Sequence, residues 1–199
     1  MRGLSSKDII VNYEMKVGMI RLAERLNPLP KSLPVDRGWP AAVLVGLQEQ
    51  HKEWHVVMTR RARHLAYHAG QISFPGGKVD PNDVSIMATA LREAQEEIAL
   101  PPEAVTIIGA LDMVTSPVGF LVQPVVGIVA PETSFVAAPA EVDEVLVLPF
   151  EEVLDSARHR RETYLREGVQ REVWVIDHAD YYLWGLSASI LVDLAGRLR

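Results

Sequence analysis

The stretch Gly77-Lys78-Val79-Asp80-Pro81-Asn82-Asp83, followed by Leu91-Arg92-Glu93-Ala94-Gln95-Glu96-Glu97-Ile98-Ala99-Leu100, decides how this chain is read. Residues 83–100 form an amphipathic pattern with Asp83 as the expected N-cap and Pro101-Pro102 as the stop. On a helix each residue turns by about 100°, so Glu93, Glu96 and Glu97 share one edge at i, i+3 and i+4 spacing. Met87, Leu91, Ala94 and Ile98 occupy the neighbouring arc and face a core. Like charges at this spacing repel by roughly a few tenths of a kcal/mol per pair. Such an edge is either a plain solvated face or a set of oxygen ligands for a hard divalent cation, and it is expected to be exposed enough for Glu97→Gln to leave the fold intact. Two neighbours favour the second reading. Gly76-Gly77 permits close backbone approach, and Arg92 carries a donor fork matched to a carboxylate.

Outward from this helix, Ala41–Leu47 and Trp54–Thr59 read as strands around a polar turn at Gln48–Glu53. His64–Gly77 is loop-like. Val105–Leu111, Leu121–Val129, Val145–Leu148 and Glu172–Ile176 read as further strands, Glu151–Arg158 as a short helix and Leu186–Leu198 as a closing helix. Interspersed strands and helices imply an α/β chain with a mixed sheet and helices on both faces. Asp8–Leu26 carries Val11, Met15, Met19, Leu22 and Leu26 on one helical stripe, which packs on the body of the protein or on a second copy, a possible homodimer. Four prolines between Asn27 and Pro40 mark a linker. The expected organisation is an N-terminal helix and linker at 1–36 and a main domain at 37–199.

The 199 residues include no cysteine, which removes disulfides, thiolate metal sites and a cysteine nucleophile. A net charge of −6 argues against a nucleic-acid-coating protein. No apolar run reaches the roughly 18–20 residues of a membrane span, and Met1–Asp8 is polar, so a soluble, cytoplasmic protein is expected. The six histidines show no paired helical spacing, and none is assigned to metal.

The quoted stretch resembles the Nudix box, which reads Gly, five residues, Glu, seven residues, Arg-Glu, an apolar residue, any residue, Glu-Glu, any residue, Gly and an apolar residue. Its Arg-Glu-apolar-any-Glu-Glu core is matched throughout by Arg92–Glu97. Three departures stand out: Asp83 replaces the first Glu, eight residues rather than seven separate it from Arg92, and Ala99 replaces the final Gly. Thr59-Arg60-Arg61-Ala62 and His68-Ala69-Gly70-Gln71-Ile72-Ser73-Phe74-Pro75-Gly76-Gly77 resemble the stretch that precedes the box in coenzyme A diphosphatases of this superfamily, with Ala66 where an Arg is often found. Ser116–Phe120, Gln123–Gly127 and Trp184-Gly185 are similar to the same subgroup.

The resemblance implies a Nudix-like α/β/α sandwich with an N-terminal helical extension, and water attack on one phosphorus of a diphosphate. For coenzyme A the products are 4′-phosphopantetheine and 3′,5′-ADP. Glu93, Glu96 and Glu97 are the expected ligands of Mg2+ or Mn2+, with Arg92 beside them. Glu141 is the expected general base, with Glu93 an alternative and Glu144 a neighbour of weaker claim. Arg60, Arg61 and Arg63 suit phosphate recognition. His68, Gln71, Phe74, Gly76 and Gly77 are expected to line the substrate groove, and Trp184 either stacks on a base or fills the core. Other nucleoside diphosphates linked to a small group, such as ADP-ribose or NADH, remain open as substrates. So does a module that binds a nucleotide without cutting it.

Overall fold

A computed structural model describes residues 18–31, 38–166 and 168–199. In chain order it holds α1 (residues 18–25), β1 (Trp39–Gln50), β2 (Glu53–Arg61), β3 (Ile72–Ser73), β4 (Gly76–Lys78) and α2 (Ile86–Ile98). There follow β5 (Val105–Ala110), β6 (Val114–Thr115), β7 (Phe120–Val129), β8 (Val142–Pro149) and α3 (Phe150–Leu154). Last come β9 (His159–Arg166), β10 (Val169–Asp177), β11 (Tyr182–Trp184) and α4 (Leu186–Leu198).

The main sheet has eight strands in the order β3-β2-β1-β7-β5, with β4 added to β1, β6 to β7 and β8 to β2. It is mixed because β1 and β7 run parallel from Trp39↔Phe120 to Gln48↔Val129 while the other pairs are antiparallel. The β1–β2 hairpin is tighter than the sequence suggests. His51 and Lys52 both adopt positive φ, which closes a two-residue turn and lets the strands run on to Gln50 and Glu53.

Side chains alternate across β1. Ala42 and Leu44 join Ile86, Ala90, Ala94 and Ile98 of α2 in one buried cluster. Val45 and Leu47 join Leu22 of α1, Val153 of α3 and Leu191 and Leu194 of α4 in the other. The sheet is therefore covered on both faces, giving the expected three layers. Burying both faces is what an uninterrupted apolar strand such as Ala42–Leu47 requires.

Three expectations are corrected. Asp83 does not cap α2; Ser85 does, its hydroxyl accepting from the Ala88 N–H at 3.1 Å. The helix predicted at Glu151–Arg158 breaks at Asp155 into α3 and a single 3-10 turn at Ser156–Arg158. The strand predicted at Glu172–Ile176 is present within β10, but it lies outside the main sheet, at the centre of a separate antiparallel sheet, β11-β10-β9. In the N-terminal stripe, Leu22 is fully buried in the core, with Met19 and Leu26 packed against it. That part packs on the chain's own body, and Val11 and Met15 lie outside the described residues. Backbone bonds between Asn27 and Ala110 and a bond from the Arg197 guanidinium to the Arg25 carbonyl fasten this segment down. Among the described residues, no helix is long and apolar enough to cross a membrane.

Candidate active site

Strand β4 lies antiparallel to β1, with Gly76 opposite Val43 and Gly77 opposite Ala42. Ala42 faces α2, so Gly77 does too. A Cβ on Gly77 would lie 2.5–2.7 Å from three atoms of the Glu93 carboxyl group, so any side chain there would have to push that carboxyl aside. The Gly76 N–H donates to Glu97 Oε2 at 3.4 Å. The glycine pair thus presses the backbone of β4 against two carboxylates of α2.

Arg92 organises the third. Its Nε and Nη2 each lie 3.0 Å from an oxygen of Asp83, a bidentate pair. Nη1 reaches Glu93 Oε1 at 2.9 Å and Glu96 Oε2 at 3.0 Å, and Nη2 also donates to the Lys78 carbonyl at 3.1 Å. Asp83 accepts further bonds from the Thr89 hydroxyl and the Asp80 N–H. The Arg92 guanidinium, together with these donors, holds the Asp83 carboxyl well below its usual range, at about 2. Because Asp83 stands in the loop ahead of the Ser85 cap, the extra residue in the box lengthens a turn and leaves the helix register untouched.

The acidic edge is not uniformly exposed, contrary to expectation. Glu96 is open, its side chain 59% exposed, but Glu97 retains only 4% of its surface. Burial pushes the Glu97 carboxyl up to about 8, Glu93 and Glu141 push the same way, and Arg61 and the Gly76 N–H partly oppose them. Burial also raises Glu93, against the pull of Arg92 and with the push of Glu96 and Glu141. Glu141 is brought here by its loop. The Val136 and Ala138 N–H groups bond the carbonyls of Ile98 and Glu97 at the end of α2, and the Ala62 N–H bonds the Glu141 carbonyl.

The donor set suits a hard cation: oxygen atoms only, crowded, with burial working against their charge. Among the described residues no three such side chains already converge on one point, since Glu93 and Glu96 turn toward Arg92. Glu93 and Glu97, with Glu96 from the helix rim, are the residues that could hold a metal.

A cleft of about 440 Å³ meets the carboxylate edge at Gly76-Gly77, which line it. Arg61, His68, Gln71, Phe74, Gly76 and Gly77 all line it. Arg61 Nε is buried with no hydrogen-bond partner among the described residues. His68, at φ +58°, places Nδ1 2.7 Å from Gln71 Oε1. Arg60 is not brought in: it is absent from the cleft wall, and its Nε pairs with Glu144 at 3.0 Å, which engages both side chains elsewhere. Arg63 contributes a backbone bond to Asp143. Trp184 stands on the cleft wall, edge-on to Tyr164 at 6.1 Å. Tyr164 was missed because charged residues along His159–Arg166 mask the alternation of β9, and Val173, within the strand expected at Glu172–Ile176, was given no role. Lys78 and Phe120 also line the cleft and carried no role in the sequence reading.

Comparison with known proteins agrees with this architecture. The NUDIX domain family matches residues 38–174. A Salmonella paratyphi B protein described as "Uncharacterized Nudix hydrolase NudL" is 44% identical over 155 residues, covering 78% of this chain and 80% of that protein, and a protein of the same description from Salmonella newport matches equally. Among solved structures, a MutT/nudix family protein from Enterococcus faecalis aligns over 98% of this chain and 75% of its own, with a TM-score of 0.51 at 18% identity. A Nudix hydrolase from M. smegmatis, RenU, aligns over 59% and 76%, with a TM-score of 0.50 at 22% identity. Those two likenesses speak to the fold, while the family match and the 44% identity speak to descent: the chain belongs to the Nudix hydrolase family.

Proposed function

We propose that this Nudix hydrolase cleaves the diphosphate of coenzyme A or its thioesters, giving 4′-phosphopantetheine, or its acyl form, and 3′,5′-ADP. The observation that carries the reading is the half-buried Glu93 and buried Glu97 packed against Gly76-Gly77, the same glycines that line a cleft of about 440 Å³. The resemblance of residues 59–77 to the coenzyme A subgroup supports the choice of substrate.

Glu93, Glu96 and Glu97 would hold Mg2+ or Mn2+. When bound, the metal supplies charge neutralisation for the diphosphate and a lowered pKa for the attacking water. The chain's own residues do the rest. Gly76-Gly77 lets the backbone approach the diphosphate without a side chain in the way. Arg61, on the cleft wall, would present its guanidinium to a phosphate oxygen. Arg92, locked by Asp83, sets the positions of Glu93 and Glu96. Glu141 takes the proton of the attacking water. Glu93 is engaged by Arg92 and Glu97 by the Gly76 N–H, whereas the Glu141 side chain has no ion pair or hydrogen bond among the described residues.

Mass spectrometry of products from coenzyme A, with magnesium and with a chelator, tests the reading. Formation of 3′,5′-ADP and 4′-phosphopantetheine only with metal is the expected result. ADP-ribose or NADH cleaved far faster than coenzyme A would overturn the substrate, and binding without any product would overturn the reaction.

A further inference from the structure

The cleft is also lined by β1, along the side of the strand that faces away from α2. Residues paired across the strands share a face, so Val43 and Gly76, then Ala41, Lys78 and Val122, then Trp39 and Phe120 succeed one another on the same side of the sheet. Trp39 stands four residues from Val43, roughly 13 Å along the strand. There the cleft adjoins a second hollow, of about 210 Å³, lined by Trp39, Pro40, Lys78 and Val79. Lys78 borders both.

Three side chains define this end. Trp39 keeps 62% of its surface exposed. Its ring lies 5.4 Å from that of Phe120, tilted by 55°, so one indole face stays free. Lys78 Nζ hangs 5.3 Å from the Phe120 ring centre and makes no ion pair among the described residues. An exposed indole is a stacking surface for a flat heterocycle. A lysine without a carboxylate partner is a point charge for an anion. A flexible, uncharged chain of amides and methylenes would leave that cation unanswered. Phe74, Val118 and Trp184, elsewhere on the cleft lining, suit such a chain better.

Resting on the reading of the substrate as a diphosphate-linked nucleotide, we propose that Trp39, Phe120 and Lys78 form the subsite for its nucleoside end. The base stacks on Trp39. Lys78 binds a phosphomonoester carried on the ribose in addition to the diphosphate. The subsite makes the chain selective for nucleotides bearing that extra phosphate.

Calorimetric titration of the full chain with adenosine 3′,5′-bisphosphate and with AMP tests this. The wild-type chain should bind the bisphosphate about five- to tenfold more tightly, the scale of one exposed charge-assisted contact. Lys78→Gln should bring the two affinities within about twofold of each other, the ratio expected when that contact is gone. The substitution spares the Lys78 carbonyl that Arg92 uses. Trp39→Leu should weaken both ligands by about fivefold or more, and Trp39→Phe, which keeps a stacking face, should recover most of the loss. An unchanged ratio in Lys78→Gln, no preference in the wild type, or full affinity in Trp39→Leu would each overturn the subsite; the last would place the base elsewhere, as between Phe120 and Trp184. Running coenzyme A cleavage alongside separates the two claims. Lys78-dependent binding without cleavage keeps the subsite and removes the coenzyme A reading. Cleavage with an unchanged ratio in Lys78→Gln does the reverse.

Discussion

Replacing Glu97 by Gln should raise the stability of the metal-free protein while removing its activity. Glu97 is 4% exposed, and its carboxyl is raised from 4.5 to about 8 in the folded chain, chiefly by burial. A raised acid opposes folding above its unfolded pKa. As far as Glu97 is concerned, the wild-type chain is at full stability below about pH 4.5 and loses part of it as pH climbs toward 8. At pH 7 the gap between 4.5 and 7, at about 1.36 kcal/mol per pH unit, sets an upper bound near 3.4 kcal/mol. Relaxation around the carboxylate leaves about 2–3 kcal/mol. Glutamine keeps the shape, can still accept from the Gly76 N–H, and cannot ionise. With roughly 2–4 °C per kcal/mol for a chain of this length, the variant should melt about 4–12 °C above wild type at pH 7. Thermal melts in chelator from pH 4.5 to 8 would check it, and the gap between the two proteins should open steadily across that range. Added magnesium should stabilise the wild type and narrow the gap, because only the intact site gains from mass action. A variant that melts below wild type at pH 7, or a gap independent of pH, would refute the claim that Glu97 is held at an electrostatic cost awaiting a cation.

Four further outcomes are expected. Ala99 ends α2 at φ +53°, a conformation in which a Cβ costs about 1 kcal/mol, so Ala99→Gly should raise the melting temperature by roughly 2–4 °C with unchanged turnover. Asp83, held at about 2 against an ordinary 3.8, contributes stability above pH 3.8 that is lost as pH falls toward 2; Asp83→Asn should flatten that acid limb and cost on the order of 1–2 kcal/mol at pH 7 by denaturant titration, after allowance for solvent screening. Gly77→Ala should swing Glu93 aside and lower turnover about 100-fold, with less than about 1 kcal/mol change in stability, since the group displaced is the end of a flexible side chain. Glu141→Gln should lower kcat by about 100-fold or more and leave KM nearly unchanged, as expected for a proton acceptor rather than a binding group.

Which parts of this molecule the sequence discloses follows from how far each cause reaches. The edge formed by Glu93, Glu96 and Glu97 is set by helical periodicity, a local rule, and α2 presents it as the spacing implies. The two-sided burial of β1 is equally local, since a run such as Ala42–Leu47 has no polar side to offer water. The burial of Glu97 is another matter. It comes from β4 laying Gly76 against the helix and from the loop through Ala138 closing over its end, contacts set by residues 21 positions before and 41 after it. Helical spacing alone therefore makes Glu96 and Glu97 look alike, whereas the fold leaves one open and buries the other. Arg60 and Arg61 differ for a similar reason. Adjacent residues on a strand point to opposite sides, so β2 can deliver only one of them to the cleft, and pairing with β8 gives Arg60 to Glu144. Asp83 shows the converse: a local signal, a good capping residue before an apolar run, was outbid by a guanidinium nine residues on. Ser85 can cap in its place because a hydroxyl satisfies an N–H as well as a carboxylate does. No other described side chain supplies the bidentate pair that holds Arg92 against Glu93 and Glu96.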